Sequence, residues 1–329
     1  MIGEFALEPE LVATWHDRKE YLFFEEKFGL KTGRIISAYP RKWRNLVWRA
    51  FKIGPHANNQ NAEMRLNALL TDLSQTIVKR RNTFEEIPVW LERAETEHAQ
   101  RPFHALLARD NPRSKDKVIP AVKLINEGHH PCWTIADTPP TARNAHELAA
   151  AVAPILRTCQ HIVFVDPYFD PQKPRFMEPM AAFFKEIWAK GYCDDNPRVE
   201  LHTSIDRYFK EYERGANRNP DEERNASSNL VHYMKELLPK IIPAGKELHI
   251  TIWKQRERGQ KLHNRYVLTE ICGVAFGTGL DQSEDQATAE TDDLHFMDIA
   301  KYNQRWQEYM GNPAAFEMVV SPFTITGKQ

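Results

Sequence analysis

Three apolar runs constrain this chain most: "HIVFVDPYF" (161–169), "RVELHTSID" (198–206) and "ELHITIWKQ" (247–255). Each closes on polar or turn-forming residues. Segments of helical spacing separate them, at 145–157, 176–190 and 222–238. A continuous apolar strand has both faces covered, and strands that alternate with helices are joined by crossovers into a parallel sheet. The expectation is an α/β fold in which the three strands run the same way.

Parallel strands share one carboxyl edge, where open α/β sheets bind ligands. That edge then carries Asp166, Tyr168, Ser204 and Asp206. The stretch "KLHNRYVLTEICGVAFGTGLD" (261–281) follows and reads as a hairpin. A short connection after residue 255 implies that its first strand runs back antiparallel. His263 and Arg265 then start at the same edge, and Thr278 and Asp281 end there. On a strand, His263 and Arg265 share a face. A guanidinium fork beside an imidazole suits an oxyanion. Glu270 falls in the turn at the opposite edge, as a brace. Structural alternatives stand beside each assignment. Asp166 initiates a turn with Pro167, Tyr168 packs beneath the edge, Ser204 and Thr278 cap strand ends, and Arg265 pairs with Asp166 or Asp206.

These residues resemble the phospholipase D superfamily. His263, Arg265, Glu270, Gly277, Thr278 and Asp281 match the spacing of its histidine–lysine–aspartate motif with the following glycine-serine and asparagine. Only His263 and Gly277 keep the family's residue types. "FVDPYFD", "LHTSID" and "HNRY…GVAFGTGLD" are more closely similar to the phospholipase D-like C-terminal domain of MIT-domain-containing proteins, over about residues 150–320. The resemblance implies a phospholipase D-like α/β/α sandwich with a mixed sheet. It also implies a phosphodiester ligand, and in the catalytic branch a metal-independent nuclease or nucleic-acid-processing factor. There His263 attacks phosphorus or protonates the leaving oxygen, while Arg265 and Thr278 hold the nonbridging oxygens. Asp166, Tyr168, Ser204, Asp206 and Asp281 line the substrate. One motif per chain implies a homodimer, and prokaryotic relatives imply a role in anti-phage defence. The noncatalytic branch implies a binding module for phosphoinositide, other phosphorylated ligands or nucleic acid. A third reading is an interaction partner inside an operon-encoded complex.

The region before "IADTPPTARNAHE" (135–147) reads differently, and Pro139 and Pro140 mark the boundary. Residues 1–140 are expected to form a mixed, mainly helical α+β domain, with helices at 9–29, 61–81 and 88–101 and a strand at 33–39. Residues 145–329 form the second domain. No acid occurs between Lys27 and Ala62. The stretch carries Lys27, Lys31, Arg34, Arg41, Lys42, Arg44, Arg49 and Lys52 among Tyr39, Trp43 and Trp48. Basic residues with interleaved aromatics suit a nucleic-acid backbone and its bases, with Arg41, Lys42, Arg44 and Arg49 as candidate contacts. "VKRR" (78–81) extends the patch. Anionic lipid answers the same charge, and a solvated face over core aromatics is the structural alternative. A second H-x-R, at His16 and Arg18, lacks the acid five residues on and reads as a surface helix face.

Net charge is −1 over 329 residues and selects no partner. Cys132, Cys159, Cys193 and Cys272 form no C-x-x-C pair, so reduced thiols are expected and no zinc ribbon. "HHPCW" (129–133) lacks a usual zinc spacing. No metal or cofactor is expected. The N-terminal stretch shows no signal-peptide pattern and no run is long enough to span a bilayer, so the expectation is a cytoplasmic protein.

Overall fold

The computed structural model describes residues 2–328 except 30–31, 136–139, 190–191, 193–195, 210–218, 286 and 288–289. Lys31, Pro139 and Cys193 of the sequence reading lie outside the described residues. The chain is mixed α/β and forms two compact units, residues 1–137 with 190–194 and residues 138–189 with 195–329.

The first unit contains β1 (Gly3–Leu7), α1 (Pro9–Val12), α2 (Arg18–Phe24), β2 (Arg34–Ala38), α3 (Trp43–Ile53), α4 (Gln60–Leu73), β3 (Ile77–Lys79), α5 (Trp90–Gln100), β4 (Ala105–Ala108), β5 (Val118–Pro120) and α6 (Ala121–Glu127). Its five strands are all parallel, in the order β3-β2-β1-β4-β5. Helices hold most of the unit's ordered residues, and its strands form a parallel sheet. Four of the strands escape periodicity because they are short and buried on both faces. "GEFAL" and "ALLA" carry no alternation, and "ALLA" reads equally as helix. Phe5, Leu7 and Leu107 pack with α3 and α4 on one face, while Ala6 and Leu106 meet Trp90 and Ala94 of α5 on the other. The helix expected over 9–29 is broken because the Asp17 side chain accepts from the Lys19 N–H at 2.9 Å and starts a new one. The helix expected over 61–81 stops at Leu73, and "IVK" becomes strand β3.

Arg80, expected to widen a basic surface, is 1% exposed. Its guanidinium donates to both Glu4 carboxylate oxygens, at 2.8 and 2.7 Å, to Glu97 Oε1 at 3.0 Å and to the Arg101 carbonyl at 2.7 Å. It also lies 3.8 Å from the Phe103 ring. A charge this deep is tolerable only when it is fully paired.

The second unit adds β6 (Thr141–Ala142), α7 (Ala145–Leu156), β7 (His161–Val165), α8 (Pro174–Ile187), β8 (Arg198–Ser204), α9 (Pro220–Leu237), β9 (Glu247–Lys254), β10 (Arg265–Thr269), β11 (Gly273–Phe276), β12 (Thr291–Asp292), β13 (Leu294–Phe296), α10 (Ile299–Met310), β14 (Glu317–Met318) and β15 (Phe323–Thr326). The main sheet runs β13-β11-β10-β7-β8-β9-β14, with β15 also on β9. β7, β8 and β9 are parallel, and β10, β11, β13, β14 and β15 are antiparallel to their neighbours. β10 sits beside β7, not β9, so the connection after β9 passes two strands before it re-enters the sheet. Phe164 stacks on Phe183 of α8 at 5.3 Å, while Val163 and Val165 face Tyr302 and Tyr309 of α10. Each fully buried side chain of this size contributes about 1.5–3 kcal/mol, so the two covered faces fix which residues of β7 point where.

Arg80→Ala leaves Glu4 and Glu97 facing a dry interior with less counter-charge. The expected loss of stability is about 3–5 kcal/mol, read from denaturant unfolding of the whole chain. A loss well under ~1 kcal/mol contradicts this account of the network.

Candidate functional site

The register of β7 against β8 and β10 puts three strand ends at one edge. Tyr266 of β10 lies opposite Val165, so Arg265 sits level with Asp166 at the start of the following turn. The Asp166 N–H donates to the His202 carbonyl at 3.0 Å, and Asp166 Oδ1 accepts from the Tyr168 N–H at 2.9 Å. Asp166 thus makes the turn and also belongs to the edge. It is 1% exposed, and its Oδ2 is buried without a hydrogen-bond partner. Burial pushes its carboxyl up to about 6, against the pull of the Tyr168 N–H and the Arg265 charge; Asp281 adds to the rise and the Leu280 N–H opposes it more weakly.

Arg265 is half-buried at the start of β10. Its guanidinium lies 4.5 Å from the centre of the Tyr168 ring. Among the described residues it makes no hydrogen bond or ion pair, and its Nε is shielded from solvent. The result is a cation held in place by an aromatic face and a buried carboxyl, with its N–H edges unspent. Such a group accepts an oxyanion without first breaking an internal bond.

His263 lies in the loop two residues ahead of β10 and is exposed. The same-face argument therefore holds for Arg265 but not for His263. The His263 Nδ1 stands 3.3 Å from the Lys261 carbonyl. With Nδ1 donating there, Nε2 keeps a lone pair toward solvent.

The remaining expected site residues are engaged within the fold. Ser204 is fully buried; its Oγ donates to the Trp253 carbonyl at 3.0 Å and accepts from the Asp206 N–H at 2.9 Å. Asp206 Oδ2 accepts from the Gln255 N–H at 3.0 Å. Together they stitch the ends of β8 and β9. The Thr278 N–H and hydroxyl both donate to Asp292 Oδ1, at 3.0 and 3.2 Å. A Cβ at Gly277 would stand 2.8 Å from the same oxygen, so this approach requires glycine. Asp281 is bound by Arg143 at 3.2 Å and Arg175 at 3.4 Å. At the opposite edge Glu270 accepts the Gln160 and His161 N–H groups, at 2.7 and 2.9 Å.

Sequence reasoning missed Arg207, Arg143, Arg175 and Asp292. Arg207 donates to the Tyr168 carbonyl at 2.9 Å and lies 3.5 Å from Asp170, which holds the "DPY" turn against β8. Its position directly after "TSID" was a usable signal, since it too follows a strand's carboxyl end. Arg143 and Arg175 sit in the entries to α7 and α8, where no spacing marks them.

The basic segment divides. Arg41 and Lys42 are exposed before α3, Arg44 is half-buried, and exposed Arg49 donates to the Glu85 carbonyl at 2.6 Å. Tyr39 and Trp43 are core, and Trp48 is half-buried against it. Trp43 Nε1 donates to the Leu7 carbonyl at 2.6 Å, the Tyr39 hydroxyl donates to the Arg93 carbonyl at 2.9 Å, and both rings are buried. Tyr39 and Trp43 therefore offer no stacking platform, and of "VKRR" Arg80 is buried while Lys79 and Arg81 are exposed. Among the described residues no three His, Cys, Asp or Glu side chains form a metal cluster, and no helix is long and apolar enough to cross a membrane. Among the described residues Cys132, Cys159 and Cys272 form no disulfide.

Compared with protein-family models, curated proteins and solved structures, the chain matches none.

The raised carboxyl of Asp166 costs stability as pH climbs. The folded state holds its proton up to about 6, whereas the unfolded chain releases it near the ordinary 3.8. Stability attached to this group is therefore complete below about pH 4 and is lost as pH rises through about 6, on the order of 3 kcal/mol in all. Asp166→Asn keeps the turn acceptor and removes the titration. Its expected result is a flatter melting profile between about pH 4 and pH 7; an unchanged slope in that window overturns the assignment.

Proposed function

We propose that the second unit recognises a phosphodiester at the carboxyl edge of β7–β8–β9, with Arg265 as its anchor. The observation that carries this reading is the unspent guanidinium of Arg265, stacked on Tyr168 beside buried Asp166. An Arg fork with free N–H edges matches two nonbridging oxygens. Asp166 and Tyr168 position that fork, Arg207 holds the turn that carries Tyr168, and Asp292 fixes the closing "GT" beside the edge. The motif spacing supports a phospholipase D-like sandwich with a degenerate site, acting as a binding module for nucleic acid or for an anionic lipid headgroup.

Catalysis is the second reading, favoured by the exposed His263 with Nδ1 at a carbonyl. In that scheme Nε2 attacks phosphorus, a phosphohistidine forms, and the leaving oxygen takes a proton from His263 of a second copy. It requires a homodimer that brings two edges together and no metal. Arg265 then stabilises the charge gained in the transition state, while Thr278, whose donors are spent on Asp292, holds the closing turn. A nuclease in anti-phage defence belongs to this reading, whereas a subunit inside a larger operon-encoded complex belongs to the noncatalytic one. Arg41, Lys42 and Arg44 supply sequence-independent attraction for a polyanion in either case.

Binding of single- and double-stranded oligonucleotides and of phosphoinositide vesicles, measured by fluorescence anisotropy and co-sedimentation, tests both. Arg265→Ala is expected to weaken the bound class about tenfold or more. Equal affinity in wild type and variant removes Arg265 from the interface and with it the proposal. His263→Asn is expected to leave binding intact and to abolish any turnover. Cleavage that persists in this variant, or that EDTA stops, rules out the histidine mechanism.

A further inference from the structure

The first unit has a cleft of its own, unconnected with the reading of the hairpin. In the order β3-β2-β1-β4-β5 the chain winds outward through β2 and β3 on one side of β1 and through β4 and β5 on the other. Connections leaving β1 and β4 diverge there, and ligands of doubly wound sheets bind at that divergence, beyond the strands' carboxyl ends. Glu8 and Arg109 follow β1 and β4. Glu8 Oε1 accepts from Arg109 Nε and Nη2 at 3.0 and 2.9 Å, and Oε2 accepts from the Arg109 N–H at 2.6 Å.

Beside Arg109 opens a cavity of about 560 Å³, within the range of small-molecule sites. Phe51, Ile53 and Pro55 form an apolar wall, and His16, His56, Arg18 and Arg65 face it. The rings of His16 and His56 are 4.8 Å apart, and His16 meets Phe51 edge-on at 5.4 Å. His16 is half-buried and precedes α2, which corrects the surface-helix expectation for it, whereas Arg18 is exposed at the start of α2.

Of the acids of the lining, Glu10 pairs with Arg109 and Asp17 caps α2 through the Lys19 N–H, while burial raises the Glu20 carboxyl. Arg18 and Arg65 make no hydrogen bond or ion pair among the described residues. Burial, His56 and Arg65 hold the His16 imidazole below its ordinary value, against the weaker pull of Asp17. The lining sets three carboxylates, Glu10, Asp17 and Glu20, against three guanidiniums, Arg18, Arg65 and Arg109, and Arg18 and Arg65 keep N–H groups that a bound anion can take.

We propose that this cleft binds a phosphate ester of mononucleotide size, with its phosphate on Arg65, Arg18 and His56 and its ring against Phe51 and Pro55. The cation set recognises the phosphate, and the His16–Phe51 corner gives the ring an aromatic edge. The site rests on the first unit alone, so it stands or falls independently of Arg265.

Calorimetric titration of the full chain with AMP, and separately with inorganic phosphate, tests the proposal. AMP is expected to bind, and inorganic phosphate to bind more weakly because it lacks the ring. Arg65→Ala and His56→Ala, at positions outside the core, are each expected to weaken AMP by about tenfold with an unchanged melting temperature. Arg265→Ala is expected to leave AMP affinity as in the wild type. Absence of AMP binding overturns the proposal, as does wild-type affinity in both cleft variants. Loss of AMP binding in Arg265→Ala also overturns it, because the nucleotide then reads the hairpin edge instead.

Discussion

Both sheets are covered by helices on both faces, and this constraint decides where polar chemistry can go. A strand with two dry faces has no place for an unpaired charge along its length. Ionisable groups are driven to strand ends, or they are buried in complete networks. Arg80 with Glu4 and Glu97 is the second kind. Asp166 and Arg265 are the first. The two units thus solve one problem in two ways, and only the strand-end solution leaves groups available to a ligand.

The edge of the second unit is built by division of labour. Ser204 and Asp206 tie β8 to β9, Arg143 and Arg175 hold Asp281, and Asp292 holds Thr278. Arg265 alone stays uncommitted while its neighbours fix its setting. A cation kept from forming an ion pair in the free protein costs stability there, and the raised carboxyl of Asp166 is a second such cost. Local cost at a position that the surrounding packing over-determines is a common mark of a site.

How much of this was legible depended on length and period. β7, β8 and β9 announce themselves because each is a long apolar run ended by turn chemistry, and their parallel pairing follows from the helices between them. The hairpin follows from its two apolar halves. β1, β4 and β5 do not, since three to five buried residues give neither alternation nor a helical period. Arg80 looked like surface because "VKRR" says nothing of Glu4, 76 residues away. Tyr39 and Trp43 looked available because a sequence does not show which side of α3 the sheet lies on. His263 looked like a strand residue, yet β10 begins two residues later. His16 looked like an isolated surface residue because its partner His56 is brought beside it only by the packing of the first unit.

The Glu270 carboxylate grips the first two peptide N–H groups leading into β7, and Arg265 stands five positions earlier on the neighbouring strand. Side chains alternate along a strand, so the count between that grip and the guanidinium fixes which way the cation points. Losing or gaining one residue between them would swing it to the far side of the sheet, among the aromatic side chains of the interior. The hairpin can therefore absorb changes of residue type, such as arginine for lysine or glutamate for aspartate, far more easily than a change of a single residue in its length.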